Sequence, residues 1–262
     1  MNEARLGVGI QGLAVSEVAY QNAVTYAKER TQGRSLTGPK FPDKPADPII
    51  VHPDVRRMLM DMKSFTEGAR AFTYWTALQG DLLHVSPDAH VREKADDRMA
   101  LLTPVIKGFL TDRGFKCASD ALQLHGGTGY TLDQGVEQFV RDARIALIYE
   151  GTSAIQALDL LGRKIMGSGG ELLRGFAAIV EQFCSENAGN ADMAPLVAAL
   201  TATGKRLEGL TMHIAGAAMK NPDEADAAAF EYLMFMGYFV LGFMWARMAR
   251  TAASGPGFTP QA

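Results

Sequence analysis

Cysteine is scarce in this sequence, which contains only Cys117 and Cys184 among its 262 residues. The two lie far apart and lack the short spacing of metal-binding cysteines, so the sequence indicates no metal site. So little cysteine is typical of a reducing, cytoplasmic setting. A single disulfide between the two residues is the alternative.

An excess of charge of either sign is also lacking. The 26 Lys and Arg residues nearly balance the 29 Asp and Glu residues, and the formal net charge is −3. Nucleic-acid-binding domains concentrate positive charge, so this balance argues against a nucleic acid partner. The first residues, M-N-E-A-R, show no signal-peptide pattern.

Apolar runs long enough to cross a bilayer are missing too. Fifteen uncharged residues lie between Glu231 and Arg247, whereas a membrane-spanning helix needs about 20. We expect this stretch to form a buried or subunit-facing helix, and membrane contact is the less favoured alternative.

Helical periodicity, in contrast, runs through the whole chain. With 47% hydrophobic and 21% charged residues, the chain suits a globular protein with a sizeable core. Residues 3–31, 54–85 and 89–115 carry apolar side chains at helical spacing. Long helices in this order predict an all-α fold, an up-down helical bundle. Pro104 is expected to kink or split the third helix.

A second helical unit is predicted after a flexible break at Gly167–Gly170. Its three helices are expected at about 171–186, 195–221 and 223–251. The predicted domains are therefore a bundle over 1–166 and a helical extension over 171–252.

Glycines occupy three positions at the start of the first helix, Gly7, Gly9 and Gly12, although glycine is a poor helix former. Residues without side chains permit close packing of another helix or close approach of a ligand. A loosely wound first turn is the alternative.

One carboxylate has unusual neighbours. The stretch Leu147–Gln156 reads L-I-Y-E-G-T-S-A-I-Q and places Glu150 between an apolar run and Gly151. A carboxylate among apolar residues is poorly solvated, which disfavours its charged form and makes it a stronger general base. The alternative is an ordinary loop glutamate before a capped helix.

Two predicted helix ends carry polar or glycine residues. Arg30 and Gln32 end the first helix before a proline-rich loop at 39–53, and cations near a helix C-terminus are favoured by the helix dipole. The helix before Gly126-Gly127 is expected to end at His125. These glycines also form a backbone that a phosphate can approach closely. By composition alone, both segments equally fit ordinary helix ends.

Four segments, in their order along the chain, resemble those of the acyl-CoA dehydrogenases. They are R-T-Q at 30–32, Q-L-H-G-G-T-G-Y at 123–130, R-D-A-R at 141–144 and I-Y-E-G-T at 148–152. In that family the glutamate removes the α-proton of an acyl-CoA thioester while a hydride passes from the β-carbon to FAD. The resemblance therefore implies an FAD-dependent oxidoreductase with Glu150 as its catalytic base.

The resemblance also implies roles for single residues. Those expected to contact FAD are Arg30, Gln32, Gln123, Gly126, Gly127 and Thr152. Arg5 and Gly151 correspond to positions near the bound acyl-CoA. Arg141, Asp142 and Arg144 are expected to form buried or half-buried ion pairs that orient the Glu150 loop, and His125 is expected to be structural.

Two departures from the family pattern concern the cofactor. Gly33 follows Gln32 directly, where the family commonly has a phenylalanine, and Ala154 replaces a longer polar residue. One ring contact and one cofactor contact therefore have no counterpart in this sequence.

The resemblance corresponds to the C-terminal part of a family member, without its N-terminal helical domain and middle β-barrel. Met1 falls where the family's bundle begins, so we expect a fragment, a split gene product or an alternative start. By itself such a chain should bind FAD weakly and not turn over. The helical extension resembles one bacterial branch, which includes fatty acyl-CoA and 3-(methylthio)propanoyl-CoA dehydrogenases.

The implied partners are an acyl-CoA substrate, further copies of the chain in a homodimer or homotetramer, and electron-transfer flavoprotein as electron acceptor. A non-catalytic helical module for oligomerisation or regulation is the main alternative. A nucleic-acid-binding relative of the family, linked to alkylation damage, is disfavoured by the net charge of −3.

Overall fold

The computed structural model describes residues 2–254, and α-helices make up most of that range. Extended structure within it is limited to an isolated antiparallel bridge between Thr31 and Pro48. The prediction of an all-α fold is confirmed. The helices are α1 (Asn2–Glu29), α2 (Pro53–Val85), α3 (Ala89–Val105), α4 (Thr111–His125), α5 (Val136–Ala146), α6 (Ser153–Leu158), α7 (Glu171–Glu186), α8 (Ala194–Ala218) and α9 (Asp223–Ser254).

The third predicted helix is divided, but not by a simple kink. Helix α3 runs into a π-helical segment, Ile106–Leu110, before α4 begins. Pro104, which lacks a backbone N–H, lies just upstream and weakens the regular hydrogen-bond ladder. A second π-helical segment, Asp159–Met166, continues α6 where the sequence predicts ordinary helix.

The described chain falls into two compact units. The central unit comprises residues 7–70 and 110–150, and the C-terminal unit comprises residues 2–6, 71–109 and 151–254. The division into domains 1–166 and 171–252 stays a prediction, and Met1, where the first would begin, lies outside the described residues. Both cysteines are free thiols.

The core of the C-terminal unit forms around α9. The Phe243 ring meets Phe176 and Phe183 of α7 edge to face, with centroids 6.0 Å and 5.6 Å apart. Burying side chains of this size contributes about 1.5–3 kcal/mol each. The Tyr232 hydroxyl lies 2.7 Å from the Thr211 hydroxyl and so links α9 to α8.

Helix α9 is the one helix in the described part of the chain that could cross a membrane by length and composition. Of its most apolar 18-residue window, 56% is buried inside the protein. Such burial is typical of a core helix and agrees with the buried helix expected for residues 232–246.

In the central unit, glycines bring α1 and α4 into backbone contact. A Cβ atom added at Gly12 would lie 2.5 Å from the Leu110 carbonyl oxygen, and one at Gly114 would lie 2.6 Å from the Gly12 carbonyl oxygen. Only residues without a side chain fit at these separations. Close helix packing is therefore the role of Gly12.

Replacing Gly12 with alanine should destabilise the chain by about 1–3 kcal/mol, because the methyl group meets backbone that cannot yield. Gly7→Ala is the matched control, since nothing lies within 4 Å of its added Cβ. That change should leave stability unchanged or raise it by up to about 1 kcal/mol. Urea denaturation followed by circular dichroism measures both variants, and equal stability of the two would contradict the contact.

Candidate functional site

A groove in the central unit brings together the residues predicted for the cofactor at two helix ends. Its volume is about 530 Å³. Its lining includes Arg30 and Gln32 after α1, and Gln123, Gly126 and Gly127 at the end of α4. The side chains of Arg30, Gln32 and Gln123 are exposed, so their donor groups are accessible.

Backbone hydrogen bonds hold the loop that carries Arg30 and Gln32. The Gln32 N–H donates to the Asp47 carbonyl oxygen at 2.9 Å, and the Asp47 N–H donates to the Gly33 carbonyl oxygen at 2.9 Å. The Ile49 N–H donates to the Arg30 carbonyl oxygen at 2.8 Å. These bonds fix the backbone of residues 30–33, of which Arg30, Gln32 and Gly33 line the groove.

Asp47 organises the rest of this loop. Its buried carboxylate accepts hydrogen bonds from the backbone N–H groups of Ser35, Lys40 and Phe41, at 3.0, 3.0 and 2.8 Å. Burial by itself raises the pKa of Asp47, but these bonds and the Arg34 guanidinium outweigh it and lower the pKa below its ordinary value. Asp47 is not among the residues predicted from the sequence, although a carboxylate next to Pro48-Ile49-Ile50 was a usable signal.

The second side of the groove is the turn after α4. Helix α4 ends at His125, as predicted, and Gly126 takes φ 61° and ψ −145°, a conformation that favours glycine. An added Cβ at Gly126 or Gly127 would meet nothing within 4 Å, so this backbone borders open space.

His125 is held in place beneath this turn. Its ring stacks on Tyr26 with a centroid separation of 4.1 Å, and its Nδ1 lies 2.7 Å from the Ala121 carbonyl oxygen. The Tyr26 hydroxyl donates to the His125 carbonyl oxygen at 3.4 Å. This environment fits the structural role expected for the histidine.

Glu150 lies in a turn with an uncommon backbone. Its φ is 54°, and Gly151 follows with φ 88°. Residues with side chains rarely adopt positive φ, and such strained positions cluster at functional sites. The expectation of a poorly solvated carboxylate is wrong for this chain alone, because the Glu150 side chain is exposed. The preceding Ile148 is itself 49% exposed and does not cover it.

Two buried donors of the C-terminal unit converge on the carbonyl oxygen of Gly151. The Lys107 ammonium donates to it at 2.5 Å and the Gln156 amide nitrogen at 3.4 Å. A Cβ atom at Gly151 would lie 2.7 Å from that amide nitrogen, and φ 88° is strained for any residue with a side chain, so this position favours glycine. The exposed Thr152 hydroxyl accepts the Ile155 N–H at 3.3 Å and caps α6.

Arg5 is placed in a buried ion pair. Its guanidinium Nη1 lies 2.6 Å from the Asp159 carboxylate, and Arg163 approaches the same carboxylate at 3.4 Å. This pairing gives Arg5 a structural task within the C-terminal unit. Its contact with a substrate stays a prediction.

The expected buried ion pairs of the R-D-A-R segment are absent, and that prediction is wrong. Helix α5 buries Val136, Ala143 and Ala146, so its intervening charged residues face solvent. Arg141, Asp142 and Arg144 are exposed, and within residues 2–254 none of them forms an ion pair.

Within residues 2–254, no group of three or more His, Cys, Asp or Glu side chains is arranged to hold a metal ion.

Comparison with known proteins identifies the chain's relatives. The family model described as acyl-CoA dehydrogenase, C-terminal domain, matches residues 1–166. The chain belongs to the acyl-CoA dehydrogenase family. A second model, described as acetyl-CoA dehydrogenase C-terminal like, matches residues 176–258.

Two curated acyl-CoA dehydrogenases match nearly the whole chain. The 3-methylmercaptopropionyl-CoA dehydrogenase of Ruegeria pomeroyi is 40% identical over 96% of this chain and 42% of its own length. A broad-specificity linear acyl-CoA dehydrogenase of Mycobacterium tuberculosis is 33% identical over 97% of this chain and 43% of its own length. The chain thus spans about two fifths of the curated relatives it matches.

Two solved structures share this helical fold. ACDH-11 of Caenorhabditis elegans, solved in complex with C11-CoA, superposes with a TM-score of 0.80 at 20% identity, over 97% of this chain and 40% of its own. An acyl-CoA dehydrogenase of Bacillus anthracis, complexed with FAD, gives a TM-score of 0.70 at 22% identity, over 97% of this chain and 44% of its own.

Asp47→Asn should loosen the loop between Gly33 and Ala46, because the amide places an N–H donor where the carboxylate accepts backbone N–H groups. Proteolytic cleavage within this loop should increase at neutral pH, whereas Asp43→Asn, at an exposed position in the same loop, should have little effect. Unchanged cleavage in the Asp47 variant would show that its carboxylate does not hold the loop in place.

The lowered pKa of Asp47 also predicts a pH dependence. Its contribution to stability is fully present above the ordinary carboxyl pKa of about 4 and is lost as the pH falls through the lower value of the folded state. The amide resonances of Ser35, Lys40 and Phe41 should therefore titrate together below pH 4, and this titration should vanish in Asp47→Asn. A midpoint above 4 would contradict the prediction.

Proposed function

We propose that this chain is the C-terminal part of an FAD-dependent acyl-CoA dehydrogenase that converts an acyl-CoA thioester into a trans-2-enoyl-CoA. One observation carries the proposal: five of the six residues predicted to contact FAD line one groove, and the sixth, Thr152, is not on its lining. Family membership supplies the reaction class.

The donor groups of the groove suit a flavin nucleotide. Arg30 supplies a planar, permanently charged fork for a pyrophosphate, and Gln32 and Gln123 supply amide donors and acceptors. The open backbone at Gly126 and Gly127 lets a phosphate approach closely. When bound, FAD supplies a two-electron acceptor for the hydride that leaves the β-carbon.

Glu150 would act as the base. Its carboxylate takes the α-proton, which the neighbouring thioester carbonyl makes acidic, and the electron pair of that C–H bond becomes the new α,β double bond. The positive φ of Glu150 and the held Gly151 carbonyl set where the carboxylate can point. Because Glu150 is exposed in this chain, bound acyl-CoA and the remaining parts of the enzyme must exclude water from it.

Thr152 would complete the set of cofactor contacts. Its hydroxyl already accepts the Ile155 N–H, yet it keeps its own proton to donate to a flavin. An acyl-CoA near Gly151, a homodimer or homotetramer, electron-transfer flavoprotein and a cytoplasmic location complete the proposal, and the family resemblance supports each of them.

Glu150→Gln removes the base at nearly constant shape. The variant is tested in the enzyme that contains this chain, with a complementing polypeptide added where the rest of the relatives' length is encoded separately. Acyl-CoA-dependent dye reduction should fall about 10²- to 10⁴-fold. Glu208→Gln, at an exposed glutamate of α8, is the control and should keep normal activity. Normal turnover of the Glu150 variant would refute the proposed mechanism.

Arg30→Gln should weaken flavin binding about 10- to 100-fold, because a hydrogen bond to a charged group contributes about 1.5–3 kcal/mol. Lys28→Gln removes an exposed cation from the same helix end but outside the groove, and should leave flavin binding unchanged. Titration followed by flavin fluorescence measures both variants. Equal affinity of the two would show that the groove does not hold the flavin.

The exposure of Glu150 favours one other candidate, a non-catalytic helical module derived from the family. Such a module would associate with itself without binding flavin. Flavin absorbance and acyl-CoA-dependent dye reduction, measured with and without a complementing polypeptide, separate the two functions.

A further inference from the structure

Lys107 is a fully buried cation to which the proposed mechanism assigns no task. Moving an ammonium group from water into a protein interior is costly unless polar groups receive it. The Gly151 carbonyl oxygen is such a group, 2.5 Å from the Lys107 Nζ atom. That carbonyl belongs to the residue directly after Glu150.

We infer that Lys107 is a positioning residue: its ammonium anchors the Gly151 carbonyl and thereby holds the Glu150–Thr152 turn in its strained conformation. The effect of Lys107 on catalysis rests on the proposed function, because Lys107 acts on the reaction only by positioning Glu150, the proposed base. The anchoring itself is a separate claim about the turn.

The π-helical segment Ile106–Leu110 makes this contact possible. Lys107 lies within this wider helical turn, and such segments recur at functional sites. The fit is close, because a Cβ atom at Gly108 would lie 3.3 Å from Gln156 and 2.8 Å from Leu233. Lys107 therefore extends from a backbone that is packed directly against the helix following the turn.

The turn needs such an anchor. Glu150 and Gly151 have φ values of 54° and 88°, and the first is a conformation that residues with side chains rarely adopt. Downstream, the Thr152 side chain caps α6 through the Ile155 N–H. The Gly151 carbonyl, held by Lys107 and Gln156, and the Thr152 cap together fix the turn on the side that leads into α6.

Lys107→Met tests this inference because it removes the charge while keeping side-chain length and volume. Replacing a buried charge by an apolar group of similar size is often tolerated, so the variant should fold. Lys116→Met is the matched control, since Lys116 pairs with Asp120 on α4 at 2.5 Å and is partly exposed.

The first measurement is hydrogen–deuterium exchange on the chain itself. The Ile155 N–H donates to the Thr152 hydroxyl, and the Gln156 N–H donates to the Thr152 carbonyl oxygen. Lys107→Met should speed the exchange of both amides at least tenfold. Exchange in α8 should stay unchanged, as should exchange in Lys116→Met throughout the turn. Wild-type exchange in Lys107→Met would overturn the inference. If that variant does not fold, Lys107→Gln takes its place, because it removes the ammonium and keeps a polar side chain. Exchange of the same amides should then rise at least threefold, and unchanged exchange would overturn the inference.

The second measurement is the split between kcat and KM in the enzyme that contains this chain. Lys107→Met should lower kcat at least tenfold with KM and flavin content within about twofold of wild type, and Lys107→Arg should restore part of the loss. Leu207→Ala, a core variant of α8, controls for general destabilisation and should not reproduce this split. If Lys107→Met keeps a normal kcat while Glu150→Gln is inactive, the positioning role of Lys107 is overturned and the proposed function stands. Normal turnover of Glu150→Gln would instead refute the proposed function, and hydrogen exchange would still decide the anchoring.

Discussion

The contact between Gly12 and Gly114 is the constraint on which the candidate cofactor groove depends. At this point α1 and α4 touch through their backbones, and both helices then run on to end at the groove. Tyr26 of α1 stacks on His125 of α4 just before the two ends, which keeps the pair in register. Arg30 and Gly126 follow immediately, so the positions of these two residues depend on a packing distance set more than ten residues away.

Buried hydrogen-bonded charges then define two turns, one in each unit. In the central unit the Asp47 carboxylate satisfies several backbone N–H groups and orders a loop that has little regular structure. In the C-terminal unit the Lys107 ammonium holds the carbonyl of Gly151, the residue that follows Glu150. A buried charge enforces one geometry strongly, because moving its backbone partners away would leave it unsatisfied in a low-dielectric interior.

Because Glu150 is exposed, the residues of this chain by themselves do not make its carboxylate a strong base. A base becomes stronger when water is excluded, and the neighbouring side chains of this chain do not exclude it. The chain spans about two fifths of its curated relatives, so substrate, cofactor and additional protein surface are the sources of that exclusion in the proposed enzyme. The solvent-facing Arg141 and Arg144 are also available for such surfaces rather than for internal ion pairs.

Local sequence by itself determined where most helices begin and end and which helix ends carry the candidate contacts. Helix α7 occupies the predicted residues 171–186, and α4 stops at His125 because glycine follows it. These features depend on side-chain periodicity and on glycine or proline within a few residues, which a sequence displays directly.

Tertiary structure alone decided the π-helical segments, the central place of Asp47, the buried setting of Lys107 and the solvent exposure of Glu150 and the R-D-A-R segment. Each depends on which distant element packs against the residue in question. From sequence alone, Lys107 is expected at the surface, as most lysines are. It is buried because Gly108 has no side chain and lets α6 and α9 pack closely at this point, and no local sequence pattern predicts that packing.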